Sequence, residues 1–158
     1  MLAFLLKALI GLAALGMTLL SLRWAHDFRM HAINEYGFVI HEFDPWFQFR
    51  ATQYLVEHGW HAFFHWFDHT SWSPLGRPVG TTIFPALQIT SAVLYRVLHA
   101  YDPAWTLDAV CCLVPVWFGM CASFGTGLLA YECTGRSVPS GVAACAVAAI
   151  LPAHLLRR

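Results

Sequence analysis

Three uncharged, apolar stretches divide this chain. The first runs for fifteen residues, from Ala8 to Leu22, behind a single charge at Lys7. The second, Ala109 to Ala130, has 22 residues between Asp108 and Glu132. The third, Ser137 to Leu156, has 20 residues between Arg136 and Arg157. A helix needs ~20 mostly apolar residues to cross a bilayer, so residues 1–22, 109–130 and 137–156 read as transmembrane helices. The short connector 131–136 makes a helical hairpin of the last two. Gly119, Ser123, Gly127, Gly141, Ala144 and Ala148 are small residues that let helix backbones approach closely. No small-residue cleavage site stands around Ser21-Leu22-Arg23-Trp24, so the first stretch reads as a retained anchor and not as a signal peptide.

Residues 23–108 then form one long loop. Within it, Pro78 to Tyr95 is uncharged for 18 residues, but Gly80 and Pro85 interrupt its first half. As a further span it would put Asp44 and Arg157 on opposite faces of the membrane. As an interfacial or packed segment it leaves three spans, with both residues on one face. Charge bias does not decide, because the loop exceeds the ~60 residues over which Lys and Arg report orientation. Asp44-Pro45 reads as a helix start, with Asp as N-cap and Pro at the first helical position. Phe47, Ala51, Tyr54, Leu55 and His58 follow at helical spacing, and Gly59 fits a C-terminal stop. Trp72-Ser73-Pro74-Leu75-Gly76-Arg77-Pro78 reads as a turn-rich connector.

Composition agrees with a membrane protein. The chain is 58% hydrophobic and 11% charged, where soluble domains carry about 25% charged residues. The formal net charge is zero, which leaves no basic patch for nucleic acid. Aromatic residues make up 15% of the chain, with seven tryptophans, and such rings favour the membrane–water boundary. Cys111, Cys112, Cys121, Cys133 and Cys145 all lie in or beside apolar runs without a C-x-x-C pair. They read as small buried hydrophobes, not as a disulfide framework or zinc site.

The candidate chemistry sits in the loop. His41-Glu42-Phe43-Asp44-Pro45-Trp46-Phe47-Gln48-Phe49-Arg50 places two carboxylates and an arginine after the first apolar segment. Acids beside a membrane are costly unless they bind a cation, meet a partner or face water. Asp44 has a plain explanation as the helix cap. Its functional reading is a ligand for Mg²⁺ or Mn²⁺, which prefer carboxylate oxygens and bridge to substrate phosphates. The residue before a proline favours an extended backbone, which would aim Asp44 outward with Glu42 on the same side. His61, His65 and His69 fall at i, i+4 and i+8, with His58 and Asp68 nearby, a spacing that permits zinc. Trp60, Phe63, Phe64, Trp66 and Phe67 make an aromatic interfacial segment the simpler reading. Arg77 follows a Pro-Leu-Gly turn and reads as a brace for the loop or a contact for an anionic head group. Arg157 and Arg158 end the third apolar run, as interfacial anchors or as a charge facing Asp44.

Read in order, these segments resemble the catalytic subunit of oligosaccharyltransferase. The residues that carry the resemblance are Val39-Ile40-His41-Glu42-Phe43-Asp44-Pro45-Trp46-Phe47 and Arg50-Ala51-Thr52, then Trp66-Phe67-Asp68. They continue through Ser71-Trp72-Ser73-Pro74-Leu75-Gly76-Arg77, Val79-Gly80-Thr81-Thr82 and Pro152-Ala153-His154-Leu155-Leu156-Arg157. The chain departs from the family at Ser73, commonly Tyr, near Gln48-Phe49, and at Arg158, usually Ser. Two arginines are thus left for one role, with Arg157 favoured.

The resemblance implies an all-α polytopic membrane protein, the N-terminal part of a GT-C type glycosyltransferase. It implies three spans, with 23–108 a lumenal loop, 131–136 cytosolic and 157–158 the start of a second lumenal loop. It also implies an N-terminal fragment, inactive alone, with a second acidic motif just after Arg158. The implied reaction moves an oligosaccharide from a dolichyl diphosphate carrier to asparagine in N-x-Ser/Thr, at the lumenal face of the endoplasmic reticulum membrane. Asp44 would be the catalytic metal ligand for Mg²⁺ or Mn²⁺, with Glu42 supporting it. Arg157, Arg77 and Trp72 would bind substrate or support the site, and other oligosaccharyltransferase subunits would be partners. Two further readings remain: another membrane transferase using a lipid-linked sugar, and a non-catalytic membrane subunit in which Asp44 only caps a helix.

Overall fold

The computed structural model describes residues 1–151, so residues 152–156 of the third apolar stretch, with Arg157 and Arg158, lie outside the described residues. The elements are α1 (Leu2–Tyr36), α2 (Phe43–Phe64), β1 (Phe67–Asp68), β2 (Arg77–Pro78), α3 (Ala86–Tyr101), α4 (Leu107–Cys133) and α5 (Val138–Ile150). They form two compact units. One comprises Met1–Gly37 and the chain from Pro115 onward; the other is Phe38–Val114.

In the first unit, α1 does not stop where the apolar run ends at Leu22. It continues to Tyr36, because nothing between Arg23 and Tyr36 breaks a helix and two side-chain pairs link successive turns. Arg23 meets Asp27 at 2.7 Å and His31 meets Glu35 at 3.3 Å, both at i,i+4. Gly37, at φ +77°, ends the helix and returns its N–H to the Ile33 carbonyl. Residues 23–36 therefore belong to a helix and not to the loop.

α1 packs on α5, and α4 meets α5 at the expected small residues. A Cβ on Gly127 would lie 2.9 Å from the Gly141 carbonyl oxygen and from the Cys145 Cβ. Gly119 instead makes room for Arg29, whose Nε would lie 2.1 Å from an added Cβ. Between α4 and α5 the chain reverses through a Schellman turn. Gly135, at φ +68°, donates to the Glu132 carbonyl, and the Arg136 N–H donates to that of Tyr131. By length and apolar character α1 (from Phe4) and α4 can each cross a membrane, and α5 is a shorter apolar helix within the described residues. The five cysteines are free thiols.

The second unit is built on α2 and α3, which pack together. Ala51, Leu55, Phe63, Val79 and Ala92 form its core. The break expected at Gly59 is present: its φ of +81° interrupts α2, and one further turn carries Phe63 into the core. After Phe64 the two short strands pair antiparallel, Phe67 opposite Pro78 and Asp68 opposite Arg77. Tyr54 lies between His58 and Trp66, with ring centroids 4.1 Å away on each side. α3 joins the core through Gln88, Ser91 and Ala92. Gln88 is fully buried and donates its amide to the Gln48 side chain of α2.

Asp68 is the one buried charged residue among the described residues. Its carboxylate accepts from Arg50 Nη2 at 3.0 Å, the Thr70 amide at 3.0 Å, Thr70 Oγ1 at 2.7 Å and Ser71 Oγ at 2.6 Å. Burial pushes this carboxyl up, but the Ser71 and Thr70 hydrogen bonds and the Arg50 charge outweigh it and hold the group below its ordinary value. The stabilisation is therefore complete above the unfolded carboxylate pKa of ~3.9 and is lost as pH falls through the lower folded value. Protection of the Thr70 amide from exchange, relative to its intrinsic rate, should be greatest at neutral pH and fall once the pH drops below the range of an ordinary Asp. Asp68→Asn should cost ~1–3 kcal/mol and remove that acid-side step; an unchanged acid profile contradicts this role. Gly80→Ala should also open the loop, by ~1–3 kcal/mol, because its Cβ would lie 2.1 Å from the Phe63 carbonyl oxygen. A melting temperature equal to that of wild type would count against this.

Candidate acidic site on the loop

Asp44 lies in the first turn of α2 and not at its cap. The helix begins at Phe43, and Glu42 takes the N-cap position without a side-chain capping bond. Pro45 lands inside the first turn, where its missing N–H costs nothing because that turn has no intrahelical acceptor for it. This corrects two expectations: Asp44 is helical and not extended, and its side chain is not engaged as the N-cap. Glu42 pays for the early start with a φ of +69°, a left-handed backbone that costs a non-glycine residue ~1–3 kcal/mol.

Both carboxylates are exposed. Neither has a hydrogen-bond or ion-pair partner among the described residues. The N-terminal end of a helix favours a negative charge such as Asp44. What the turn offers is thus a pair of unengaged oxygen donors, held at the helix end where anions are stabilised.

Trp72 and Arg77 are brought beside this turn by the loop. The Arg77 guanidinium lies 4.9 Å over the Phe47 ring and 5.6 Å over the Trp72 ring. Its Nη2 donates to Thr82 Oγ1 at 2.9 Å. Arg77 braces the loop through two rings and a hydroxyl, not through carbonyls. Phe47 follows Asp44 at i+3, on the same side of α2, so the stack rests one turn after the acid. Trp72 is 73% exposed, leaving most of the indole open. On the neighbouring surface, Trp46, Phe47, Phe49, Arg50, Gln53 and Ser71 line a shallow groove of about 460 Å³.

The histidines do not assemble. α2 ends at Phe64, so His69 does not continue the helical face of His61 and His65. Those two rings stack on each other at 4.5 Å, while His69 lies against Phe67 at 4.8 Å. Asp68 spends its oxygens on the loop. Among the described residues no group of three or more His, Cys, Asp or Glu side chains could hold a metal ion. Arg157 lies outside the described residues. Sequence reasoning missed the Arg50–Asp68 pair and the Gln48–Gln88 pair. Gln88 carried a signal, being the one amide side chain in the uncharged stretch from Pro78 to Tyr95.

The sequence of residues 6–158 matches the family model described as Oligosaccharyl transferase STT3, N-terminal. The chain is 36% identical over 133 residues to the rice (Oryza sativa subsp. japonica) dolichyl-diphosphooligosaccharide–protein glycosyltransferase subunit STT3A, covering 84% of this chain and 17% of that protein. It is 40% identical to the rice subunit STT3B over 132 residues, covering 82% of this chain and 18% of that protein. It is 40% identical to the Schizosaccharomyces pombe subunit stt3 over 129 residues, covering 82% of this chain and 17% of that protein. The chain thus spans 17–18% of the length of these curated relatives. Identity at this level over most of the chain, with the family model matching nearly all of it, places the chain in the STT3 family of oligosaccharyltransferase subunits, as its N-terminal membrane domain.

Proposed function

We propose that this chain supplies the first acidic motif of an STT3-type oligosaccharyltransferase. That enzyme moves an oligosaccharide from a dolichyl diphosphate to the side-chain nitrogen of asparagine in N-x-Ser/Thr. The observation that carries the reading is the unengaged Asp44–Glu42 pair at the start of α2, beside the Arg77–Trp72 brace. The reading also places the loop on the lumenal side of the endoplasmic reticulum membrane, in a protein that works with other oligosaccharyltransferase subunits.

The chemical difficulty is the nucleophile. An amide nitrogen shares its lone pair with the carbonyl, as the rotation barrier of ~18–20 kcal/mol in amides shows. Asp44 accepts a hydrogen bond from the acceptor amide N–H, which orients that nitrogen toward the sugar carbon and draws charge onto it. The nitrogen bonds to that carbon with inversion as the carbon–oxygen bond to the lipid diphosphate breaks, and the proton lost from the amide nitrogen is taken up by the released diphosphate. Two hard oxygen donors with no protein partner fit Mg²⁺ or Mn²⁺, which take one or two carboxylates and fill their remaining positions with water and substrate phosphate. Asp44 would hold the ion, and Glu42 would support it directly or through water. When bound, such an ion supplies Lewis-acid stabilisation of charge on the leaving diphosphate. Arg77 and Trp72 hold the loop against the acidic turn and present an indole face to the ligand. Arg157 is proposed to steady the acidic site.

In a full-length protein carrying this segment, Asp44→Ala should lower glycosylation of an N-x-Ser/Thr reporter by ~10²-fold or more, on the scale of losing one preorganised electrostatic group. Protein abundance should stay unchanged. Asp44→Asn should fail as well, because it keeps the shape and removes the charge. Near-normal reporter glycosylation in either variant sinks the assignment and favours a non-catalytic role.

A further inference from the structure

The far end of α2 brings two histidines together. Gly59 breaks the helix, and one further turn runs from Trp60 to Phe64. His61 stands in that turn and His65 is its C-cap, with φ −102° and ψ 5°. The His65 N–H donates to the Ala62 carbonyl, so the backbone holds a near-helical course for one residue more. His61 and His65 thus keep the i,i+4 relation that puts side chains on one face. Their ring centroids are 4.5 Å apart, with the planes 24° from parallel. Both residues are exposed, while the same turn sends Phe63 into the core, fully buried.

The ring nitrogens are set for a metal. His65 Nδ1 lies 2.9 Å from the His61 carbonyl oxygen. A carbonyl only accepts, so Nδ1 carries the proton and Nε2 of the neutral ring keeps a free lone pair. Metal-binding histidines are commonly held in this way, with one ring nitrogen on a backbone carbonyl and the other on the ion. The His61 ring has no hydrogen-bond partner among the described residues. Two nitrogens bound to one zinc at ~2.0–2.1 Å stand about 3 Å apart, so the stacked rings need only lean together at their Nε2 edges. The run His61-Ala62-Phe63-Phe64-His65 has the histidine spacing of helical zinc sites, but Ala62 stands where the hydrolytic ones carry glutamate. It offers ligands without a general base.

We propose that His61 and His65 form a two-histidine chelate for a borderline transition ion, Zn²⁺ or Cu²⁺, with water in the remaining positions. Imidazole suits these ions, whereas Mg²⁺ and Mn²⁺ prefer carboxylates, and Cu²⁺ binds such a site most tightly. The nearest other candidates do not join: the Asp68 oxygens are taken by Arg50, Thr70 and Ser71, and His69 lies against Phe67. The loop then sorts cations by donor chemistry, imidazole here and carboxylate at Asp44–Glu42. A bound ion clips the turn beyond Gly59 and steadies the seat of Phe63. The site does not depend on the transferase reading.

The test has two arms, both on full-length protein. Wild type is treated with diethylpyrocarbonate, which acylates free imidazole nitrogens, with and without Zn²⁺, and the modified positions are read by mass spectrometry. Zn²⁺ should protect His61 and His65 severalfold and leave His69 unchanged. Cu²⁺ is then titrated into wild type, His61→Gln, His65→Gln and His69→Gln and followed by the nitrogen splitting of its electron paramagnetic resonance spectrum. A direct ligand should matter at least as much as an outer-shell partner, whose loss costs ~10–100-fold in affinity. A loss of that size in His61→Gln and in His65→Gln, with His69→Gln equal to wild type, is the expected result. Absence of protection, protection of only one of the pair, or wild-type Cu²⁺ binding in either variant of the pair overturns the proposal. Protection of His69, or an equal loss in His69→Gln, overturns it as well, because the ion then sits on a different set of ligands. The protection arm needs no variant, so it stands whatever the substitutions do to folding.

Discussion

The loop unit depends on one buried carboxylate. Asp68 gathers Arg50 from α2 and Thr70 and Ser71 from the turn that follows it. An isolated buried charge would cost several kcal/mol, so the turn is stable only with these donors in place. The consequence reaches the acidic motif. Once the turn is fixed, the chain returns as β2 with Arg77 opposite Asp68. Arg77 is then delivered over Phe47, one turn from Asp44. A structural acid thus positions the arginine that stacks on Phe47, one turn after the free acid. The division of labour is physical: the engaged carboxylate is buried and saturated, and the unengaged pair is exposed.

Solvent sets the rest of the arrangement. In the first unit, glycines at 127 and 141 bring α4 and α5 into backbone contact, which replaces the hydrophobic drive that lipid cannot supply. In the loop unit, α3 buries Gln88 and Ser91 and leaves Val93 and Val97 exposed. The Gln48–Gln88 pair joins α2 to α3 through a buried amide contact. The helix that carries Asp44 is thereby tied to α3.

Much of the fold was legible in the sequence. The run from Ala109 to Ala130 and its partner from Ser137 gave helices because apolar length alone is decisive there. Gly59 was legible because a helix interior rarely tolerates positive φ, and Gly127 and Gly141 because small residues mark helix contacts in lipid. The extension of α1 to Tyr36 was not, since the end of an apolar run was read as the end of a helix, while charges paired at i,i+4 continue it. Asp44 was misplaced as a cap because Asp-Pro fits a helix start equally well at the N-cap and one or two residues inside. The Arg50–Asp68 pair spans eighteen positions and exists only after α2 and the strands meet. The orientation of α3 was hidden as well: its apolar content was plain, but not which face was covered.

The central claim is that Asp44 is held free at the start of α2, so that it can take a divalent cation. Titration of Mn²⁺ into the full-length protein, read by the loss of free-ion electron paramagnetic resonance signal, tests it directly. The account predicts a bound ion whose affinity falls about tenfold or more, ~1.4 kcal/mol, in Asp44→Asn and is unchanged in Glu57→Gln. Equal Mn²⁺ binding by Asp44→Asn and wild type would contradict it.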